Sequence, residues 1–450
     1  MSKDLKWIWL AEKCGPGSTE LLKLIEKLGD IDDIFGADYD GYSEAGVSER
    51  LCEDLCDKDT ANAMKIMSYC NSAGVTLLTY DSPKYPASLR SLKNPPAVLY
   101  CLGELPDFNR NLCISVVGTR TMSEYGMRAA YKIAYEVASS GAVVISGMAL
   151  GIDGIAACAA IASGGKTVAV LGCGIDRVYP KSHQKLCEAI KRQGAVITEF
   201  PPDTEPRGMN FPIRNRIISG LGQGTVVVDA DLESGAMITA KNAILQGRDI
   251  YAVPANIGAE NSSGTNSLIR DGAQAVLCGN DIIRNYMYIY RDRLDVSRLM
   301  RAEKNSDFNL DFVSRMGVAA KISENGVKKQ IGASSPIKKN AVSNHRAGEN
   351  KSDRNSPSEG IKESVNPAVQ KNSDEVASVQ RKQGDDSAKI LETLGEKQRR
   401  IFDEMPLDRA VTVDYLTKTG FTLGEVISAL TVLEIKGLVS SLPGALYIRK

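Results

Sequence analysis

The chain has 450 residues, more than a single hydrophobic core usually accommodates, so two or three domains are expected. Basic and acidic side chains balance at 55 each, and the net charge therefore gives no argument for a nucleic-acid partner. Only two histidines are present, His183 and His345, which disfavours a serine–histidine–aspartate triad and a two-histidine metal site.

Cysteine usage and hydropathy indicate the compartment. The ten cysteines contain no Cys-x-x-Cys pair, and several lie within apolar runs, as reduced, buried thiols do. Trp7–Leu10 is too short for the core of a signal peptide, and no run approaches the ~20 apolar residues of a membrane span. We therefore expect a cytoplasmic protein with no membrane span and no metal site.

Residues 1–72 are predicted to form a small helical domain of the SAM or helix–hairpin–helix type. Leu21, Leu24 and Leu28 recur at helical spacing, and Gly29-Asp30 ends that helix. The Cys-Gly-Pro-Gly turn at 14–17 is of the sort found in helix–hairpin–helix units, which hold DNA backbone through loop amides. The preferred explanation is an ordinary turn between packed helices.

Two segments follow, a connector at 73–110 and a main domain at 111–290. The connector contains strand candidates at Val75–Thr79 and Ala97–Cys101. In the main domain, helical segments alternate with strand candidates at Cys113–Val117, Val143–Ser146, Thr167–Leu171, Ala195–Thr198, Thr225–Val228 and Asp249–Val253. Short strands alternating with helices predict a Rossmann-like, mostly parallel α/β sheet.

Most of these strands end in glycine or serine. Gly118, Ser146-Gly147, Gly172 and Ser234-Gly235 all lie at or just beyond a strand end. Glycine there allows close approach of a ligand to the backbone, and the carboxyl ends of parallel strands share one edge of a sheet. The pattern predicts a groove lined by backbone amides, although no glycine motif matches a dinucleotide or Walker signature.

The densest stretch runs from Phe211 to Pro254. It opens with Phe-Pro-x-Arg-Asn-Arg, continues through an apolar helix-like segment, and then enters the buried run Thr225–Val228. Two arginines and a phenylalanine beside the ligand-binding edge of a sheet suggest a polyanion that carries flat groups.

The last third of the chain divides into a linker and a final domain. Between 300 and 394 polar residues dominate and apolar periodicity is lost, which predicts a disordered linker. In 395–450, helices at Gln398–Met405, Val413–Thr419 and Leu423–Lys436 precede a two-stranded turn, a winged-helix pattern. The third helix contains no arginine. Its role could therefore be contact with another protein or autoregulation as well as sequence recognition of DNA.

With these residues laid out, the chain resembles the DNA-processing protein A family, also called DprA or Smf. The resemblance covers roughly 75–290, and the flanking units more loosely. Its motifs are Val117-Gly-Thr-Arg120 with Ser123-x-Tyr125-Gly126, Ser146-Gly-Met-Ala-Leu-Gly-Ile-Asp153, Thr167-Val-Ala-Val-Leu-Gly-Cys-Gly-Ile-Asp176 with Tyr179-Pro180, Glu199-Phe-Pro, Phe211-Pro-x-Arg-Asn-Arg-Ile-Ile-Ser-Gly220, Ser234-Gly-Ala-Met-Ile-Thr-Ala240 and Gly264-Thr-Asn266. Leu150 and Ala157 depart from the arginine and histidine usual in the family.

The resemblance implies a homodimer that holds single-stranded DNA and helps to load the RecA recombinase, with no cofactor and no turnover chemistry. Arg120 and Lys181 would contact phosphate, Asn215 backbone or sugar, and Phe211 a base. The full set of candidate DNA-binding residues is Gly118, Thr119, Arg120, Ser146, Gly147, Lys181, Phe211, Arg214, Asn215, Arg216, Ser234, Gly235, Thr239 and Lys241.

Each side chain in this set also has a structural interpretation. Arg120 could pair with a nearby acid, Phe211 could belong to the core, and Lys181 could be an ordinary surface lysine. On a strand, Arg214 and Arg216 would alternate with Asn215, and one of the two arginines would pair with a carboxylate such as Glu199 or Asp229. Thr239 and Lys241 could simply be helix residues, and Asp153 is expected to be a helix N-cap.

Two other classes of function remain open. Gly222-Gln-Gly-Thr225 followed by Val-Val-Val-Asp229 resembles the glycine-rich turn of nucleotide phosphoribohydrolases, although the match is incomplete. Asp229 lies near the position where such an enzyme needs its acid. A protein that senses a signalling nucleotide could use the same groove.

Overall fold

The computed structural model of the chain describes residues 1–318, 320–324, 327–331, 394–406, 411–417, 420–436, 438–442 and 446–449. They belong to two units, Met1–Ser335 and Pro336–Lys450. All ten cysteines lie in the described part of the first unit and are free thiols. Within the described residues, no helix combines the length and the apolar character needed to cross a membrane.

The first unit begins with helices, as predicted. They are α1 (Lys3–Cys14), α2 (Glu20–Leu28), α3 (Ile31–Gly36), α4 (Tyr39–Glu44), α5 (Glu49–Cys56) and α6 (Ala61–Ala73). Ser2, Asp30 and Ser48 accept amide hydrogen bonds at helix starts, and Gly29 ends α2 with a φ of 94°. Trp7 and Trp9 are buried where α1 packs on its neighbours.

A nine-stranded sheet forms the centre of the unit. Its strands are β1 (Thr76–Thr79), β2 (Val98–Gly103), β3 (Cys113–Gly118), β4 (Val143–Ser146), β5 (Lys166–Val170), β6 (Ala195–Thr198), β7 (Gly224–Val228), β8 (Asp249–Ala252) and β9 (Gln274–Ala275). In space the order is β1-β2-β6-β5-β4-β3-β7-β8-β9. In this spatial order, every neighbouring pair of strands between β6 and β9 is parallel. This pairing confirms the Rossmann-like fold class.

The predicted connector is part of this sheet. Strand β1 pairs antiparallel with β2, and β2 pairs antiparallel with β6. Leu99 and Cys101 on β2 are fully or almost fully buried. Residues 73–110 therefore add two strands to the main domain, because their apolar side chains extend its core.

Helices cover both faces of the sheet. They are α7 (Ala87–Arg90), α8 (Glu124–Ser139), α9 (Ile152–Ala162), α10 (Gln184–Gln193), α11 (Asn210–Leu221), α12 (Gly235–Leu245), α13 (Ser263–Arg270) and α14 (Asn280–Ile283). Alternate residues of a strand enter two separate cores, so Ile114 and Val116 pack with α8 and α9, whereas Val117 packs with α11 and α12. Strand β3 lies between β4 and β7, where the direction of winding reverses.

The predicted disordered linker begins too early, because its first residues are folded. Helices α15 (Val296–Glu303) and α16 (Leu310–Arg315) bury Leu299 and Val313 against the main core. Ser306 Oγ donates to the buried carboxylate of Glu136 on α8, at 2.8 Å. Strands β10 (Ala320–Glu324) and β11 (Val327–Ile331) then pair antiparallel. The rest of the predicted linker, 332–393, lies outside the described residues.

The second unit contains three described helices and three short strands. They are α17 (Glu396–Asp403), β12 (Val411–Thr412), α18 (Val413–Thr417), α19 (Leu423–Ile435), β13 (Val439–Leu442) and β14 (Leu446–Arg449). Ile401, Leu416 and Leu433 are fully buried between these elements. Strand β14 pairs with both β12 and β13, so the predicted two-stranded turn has a third strand.

Candidate nucleic-acid interface

A groove of about 1000 Å³ opens at the carboxyl end of β3, at the reversal point of the sheet. In open α/β sheets, this is where ligands bind. Nine of the predicted site residues line the groove: Gly118, Thr119, Arg120, Phe211, Arg214, Asn215, Ser234, Gly235 and Thr239. The tertiary structure thus brings together residues that are more than one hundred positions apart in the chain.

The Phe-Pro-x-Arg-Asn-Arg motif lies on helix α11 and not on a strand. Phe211, Arg214, Asn215 and Ile218 are spaced at i, i+3, i+4 and i+7, so they share one face of the helix. All four line the groove. Arg216 lies about 200° around the helix from Arg214 and faces away. That spacing is a helical signal that identifies the groove-facing residues in the sequence.

Arg120 is the accessible guanidinium of the groove. It directly follows β3, is exposed, and lies 5.3 Å from the centre of the Phe211 ring. No described residue places a carboxylate within 4.0 Å of this guanidinium to form an ion pair. The side chain is therefore held by a cation–π contact and keeps its hydrogen-bond donors available.

Arg214 braces the groove from below. The side chain is buried, and Nη1 donates to the carbonyls of Gly147 (2.9 Å) and Val170. Its Nε donates to Oδ1 of Asn215 at 3.2 Å. Burial lowers the pKa of the Arg214 guanidinium to about 10, which the negative charge of Asp153 partly offsets. Arg214 thus ties β4, β5 and α11 together, and its charge is close to the groove wall.

Asp153 belongs to this brace and is not the predicted N-cap. Helix α9 is capped at Gly151, and Oδ2 of Asp153 accepts the Gly147 amide at 3.1 Å. Burial raises the pKa of the Asp153 carboxyl, and Arg214 opposes that rise. A Cβ on Gly147 would lie 2.6 Å from Asp153 Oδ2 and 2.7 Å from Arg214 Nη2. Gly147 is therefore required by packing.

Five predicted site residues lie outside the groove. Ser146 is buried and its hydroxyl donates to the Val116 carbonyl at 3.0 Å, so it bridges two strands. Gly147 lines a small side pocket beneath Phe211. Lys181 and Lys241 are exposed but line neither cavity. Arg216 is buried away from the groove.

Arg216 forms a buried ion pair with Glu199, at 2.5 Å. The two side chains are 6% and 7% exposed, which is too little for Arg216 to contact a phosphate. Oε1 of Glu199 also accepts the Gly17 amide at 3.1 Å, and Gly17 belongs to the turn after α1. The loop amide that a helix–hairpin–helix unit would offer to DNA is therefore bound to Glu199. This cluster joins the N-terminal helices to the sheet.

The sequence offers Asp229 as an arginine partner or as an enzyme acid, and the structure gives it a third, structural role. It follows β7 in the left-handed region, with a φ of 55°, and its Oδ2 accepts the Ser123 amide at 2.6 Å. It is absent from the groove lining. Burial raises the pKa of the Asp229 carboxyl to about 6, and the hydrogen bonds from Ser123 oppose this rise.

The raised pKa predicts a pH dependence of stability. The Asp229 carboxyl has a pKa of about 6 in the folded protein, whereas the ordinary pKa of an aspartate is 3.8. Its contribution to the free energy of unfolding is therefore fully present below about pH 4 and is lost as the pH rises through 6. Asp229→Asn should remove this loss, because an amide oxygen still accepts the Ser123 amide and asparagine tolerates positive φ. Urea unfolding of both proteins at pH 4, 5, 6 and 7 measures it. A stability difference that does not change with pH would contradict this origin.

Among the described residues, no three histidine, cysteine, aspartate or glutamate side chains converge as metal ligands. Leu150, which replaces the family's arginine, lines the small pocket beneath Phe211, and Ala157 is buried in α9.

Comparison with known proteins identifies the family of the chain. Residues 76–287 match the family model of DNA recombination-mediator protein A, and residues 383–445 match that of the DprA winged helix domain. The DNA processing protein DprA of Streptococcus pneumoniae is 33% identical over 290 residues, covering 62% of this chain and 98% of that protein. The chain belongs to the DprA/Smf family.

Further DprA/Smf relatives support the assignment and the fold. DprA of Bacillus subtilis is 34% identical over 229 residues, which cover 50% of this chain and 77% of that protein. The solved structure of DprA from Streptococcus pneumoniae superposes with a TM-score of 0.56 at 31% identity, covering 62% of this chain and 97% of that one. This structural likeness confirms the fold of the family core, and the match of residues 383–445 confirms the C-terminal winged-helix domain.

Proposed function

We propose that this chain binds single-stranded DNA in the groove and acts as a recombination mediator that protects incoming strands. The observation that carries the proposal is Arg120, an exposed guanidinium that stacks on Phe211 at the reversal point of the sheet and has no ion-pair partner among the described residues. A guanidinium beside an aromatic ring offers one contact to a phosphate and one to a base.

Charges around the groove restrict the path of the strand. Asp231 and Glu233 are exposed on the rim next to α12, where they repel phosphates. Arg120 and Arg214 lie beside Phe211, where their positive charges attract phosphates. We therefore expect the backbone of the bound strand to run along the side of the groove formed by Arg120, Arg214 and Phe211.

Replacing Arg120 with alanine tests the proposal. We expect weaker binding of labelled oligo-dT, a salt slope lower by about one, and little change in melting temperature, because one phosphate contact is lost at an exposed site. Fluorescence anisotropy at several salt concentrations measures both quantities. Arg128→Ala is the matched control, since Arg128 is also exposed but pairs with Glu124 on α8.

Unchanged affinity with a lower melting temperature would make Arg120 a structural residue. The rival classes have their own signatures. Release of base from nucleoside monophosphates, abolished by Asp229→Ala, would establish a phosphoribohydrolase, although Asp229 is engaged with Ser123 and lies outside the groove lining. Tight binding of a mononucleotide without any oligonucleotide binding would indicate a nucleotide sensor. We propose that the chain performs no catalysis.

The wider role follows from the family. We propose that the chain acts as a homodimer in the cytoplasm and loads the RecA recombinase on the bound strand during natural transformation or other DNA processing. The family description as a recombination mediator supports this role, and ten free thiols suit a reducing compartment.

A further inference from the structure

We infer that Tyr179, and not Phe211, presents the face on which an unpaired base stacks. The inference rests on the proposed function and names a residue that the sequence patterns did not select as part of the site. It concerns the wall of the groove on which Arg120, Tyr179 and Phe211 lie side by side.

Phe211 is enclosed by its neighbours. Arg120 lies 5.3 Å and Arg214 5.8 Å from the centre of its ring. A Cβ on Gly172 would be 2.9 Å from Cδ1 of the ring, so the phenyl group packs directly on the loop after β5. With two guanidinium groups and a backbone loop against it, the half-buried ring supports the wall more than it exposes a face.

Tyr179 has the opposite environment. Its side chain is 41% exposed, and its ring centre lies 5.5 Å from that of Phe211 at an angle of 33°. The residue lines both the groove and the small pocket beneath Phe211. One side of the phenol thus rests on Phe211, and the other side is free for a ligand.

The position of Tyr179 is held before any ligand arrives. Pro180 precedes a single 3₁₀ turn, Lys181–His183, and the buried imidazole of His183 contacts the Met148 carbonyl through Nδ1, at 3.1 Å. The turn is therefore anchored on the loop after β4. A ring placed in advance loses little conformational entropy when a base stacks on it.

The ligand that this surface selects is an unstacked nucleobase. Tyr179 and Arg120 flank the same ring, so a base on Tyr179 brings its own strand's phosphate towards Arg120. Bases inside a duplex are covered on both faces and cannot stack there. The aromatic pair therefore provides discrimination between single and double strands, whereas Arg120 provides affinity for either backbone.

The experiment compares two labelled oligomers of equal length, oligo-dT and an abasic strand with the same phosphates, binding to the full chain. Tyr179→Leu should weaken oligo-dT binding about tenfold, within the range for one stacked base, and leave the abasic strand and the salt slope unchanged. Tyr179→Phe should bind both strands as the unmodified chain does. Tyr39→Leu is the matched control, because Tyr39 is 42% exposed on the N-terminal helices.

The outcomes separate this inference from the function on which it rests. Equal weakening of both oligomers by Tyr179→Leu would mean that the ring shapes the groove without stacking, and loss of binding in Tyr179→Phe would assign the effect to the hydroxyl; either overturns the inference. So would unchanged oligo-dT binding by Tyr179→Leu. If the unmodified chain binds neither oligomer, the proposed function itself fails, and the stacking role fails with it.

Discussion

Arg216→Met should lower the free energy of unfolding of the first unit by about 3 to 5 kcal/mol, the cost of leaving a buried charge without its partner. Glu199 is 8% exposed, and without the guanidinium its carboxylate keeps one donor among the described residues, the Gly17 amide. Burial already raises the pKa of Glu199 against the opposing charge of Arg216. The remaining carboxyl would then be driven further towards its neutral form.

The double variant Glu199→Gln with Arg216→Met distinguishes the charge from the packing. It should cost less than the sum of the two single variants, because a glutamine oxygen still accepts the Gly17 amide and no net charge stays buried. Urea unfolding monitored by circular dichroism measures all of them, with Arg128→Met as an exposed control expected to change stability by less than about 0.5 kcal/mol. Additive costs would show that the ion pair contributes nothing as a pair.

The Arg216→Met variant also tests whether Arg216 belongs to the DNA-binding groove, as the sequence predicts. Arg216 faces away from the groove, so the folded fraction of Arg216→Met should bind oligo-dT with an unchanged salt slope. A slope lower by about one would return Arg216 to the interface.

Gly118→Ala should destabilise the fold by about 3 kcal/mol or more, at or beyond the upper end of ordinary overpacking. A Cβ at this position would lie 1.9 Å from the Val228 carbonyl oxygen and 2.5 Å from Cγ1 of Ile152. Gly118 is paired with Val228 in the centre of the sheet, so the carbonyl oxygen cannot move aside without separating β3 from β7. The amide-lined end of β3 would be displaced together with Arg120.

Gly235→Ala is the matched control within the same groove. No atom lies within 4 Å of a Cβ at Gly235, which is the first residue of α12, so the change should alter stability by no more than about 1 kcal/mol. Thermal unfolding and oligo-dT binding measure both variants. If Gly118→Ala proves as stable as Gly235→Ala, close packing of β3 on β7 does not explain the glycine.

The strands were predictable because each one carries its own signal. β4 and β6 have the predicted bounds, Val143–Ser146 and Ala195–Thr198, because short apolar β-branched runs bounded by turns can be identified from the local sequence alone. The predicted start of the linker at residue 300 was wrong, because the local sequence of the folded segment there carries no clear signal. Leu299 and Val313 lie in a polar background, and only their packing on the main core shows that they belong to it.

The site was predictable in its residue types and less so in its arrangement. The i, i+3, i+4, i+7 spacing of α11 was readable, but interpreting the motif as a strand assigned no common face to Phe211 and Arg214. Asp229 and Tyr179 lie within sequence motifs, but no local pattern assigned Asp229 to Ser123 or Tyr179 to the groove. Their environments are made by Ser123 and Phe211, which are 106 and 32 positions away, and such contacts are invisible along the chain.

By itself the amino-acid sequence determined the alternating strands and helices, the glycine-rich strand ends and the motifs shared with the DprA/Smf family. Only the tertiary structure decided the strand order and, with it, which guanidinium stays free. Arg120, Arg214 and Arg216 are chemically the same side chain. What separates an exposed ligand-binding residue from a buried brace and a buried ion pair is the surface against which each is packed, and that surface is assembled from distant segments.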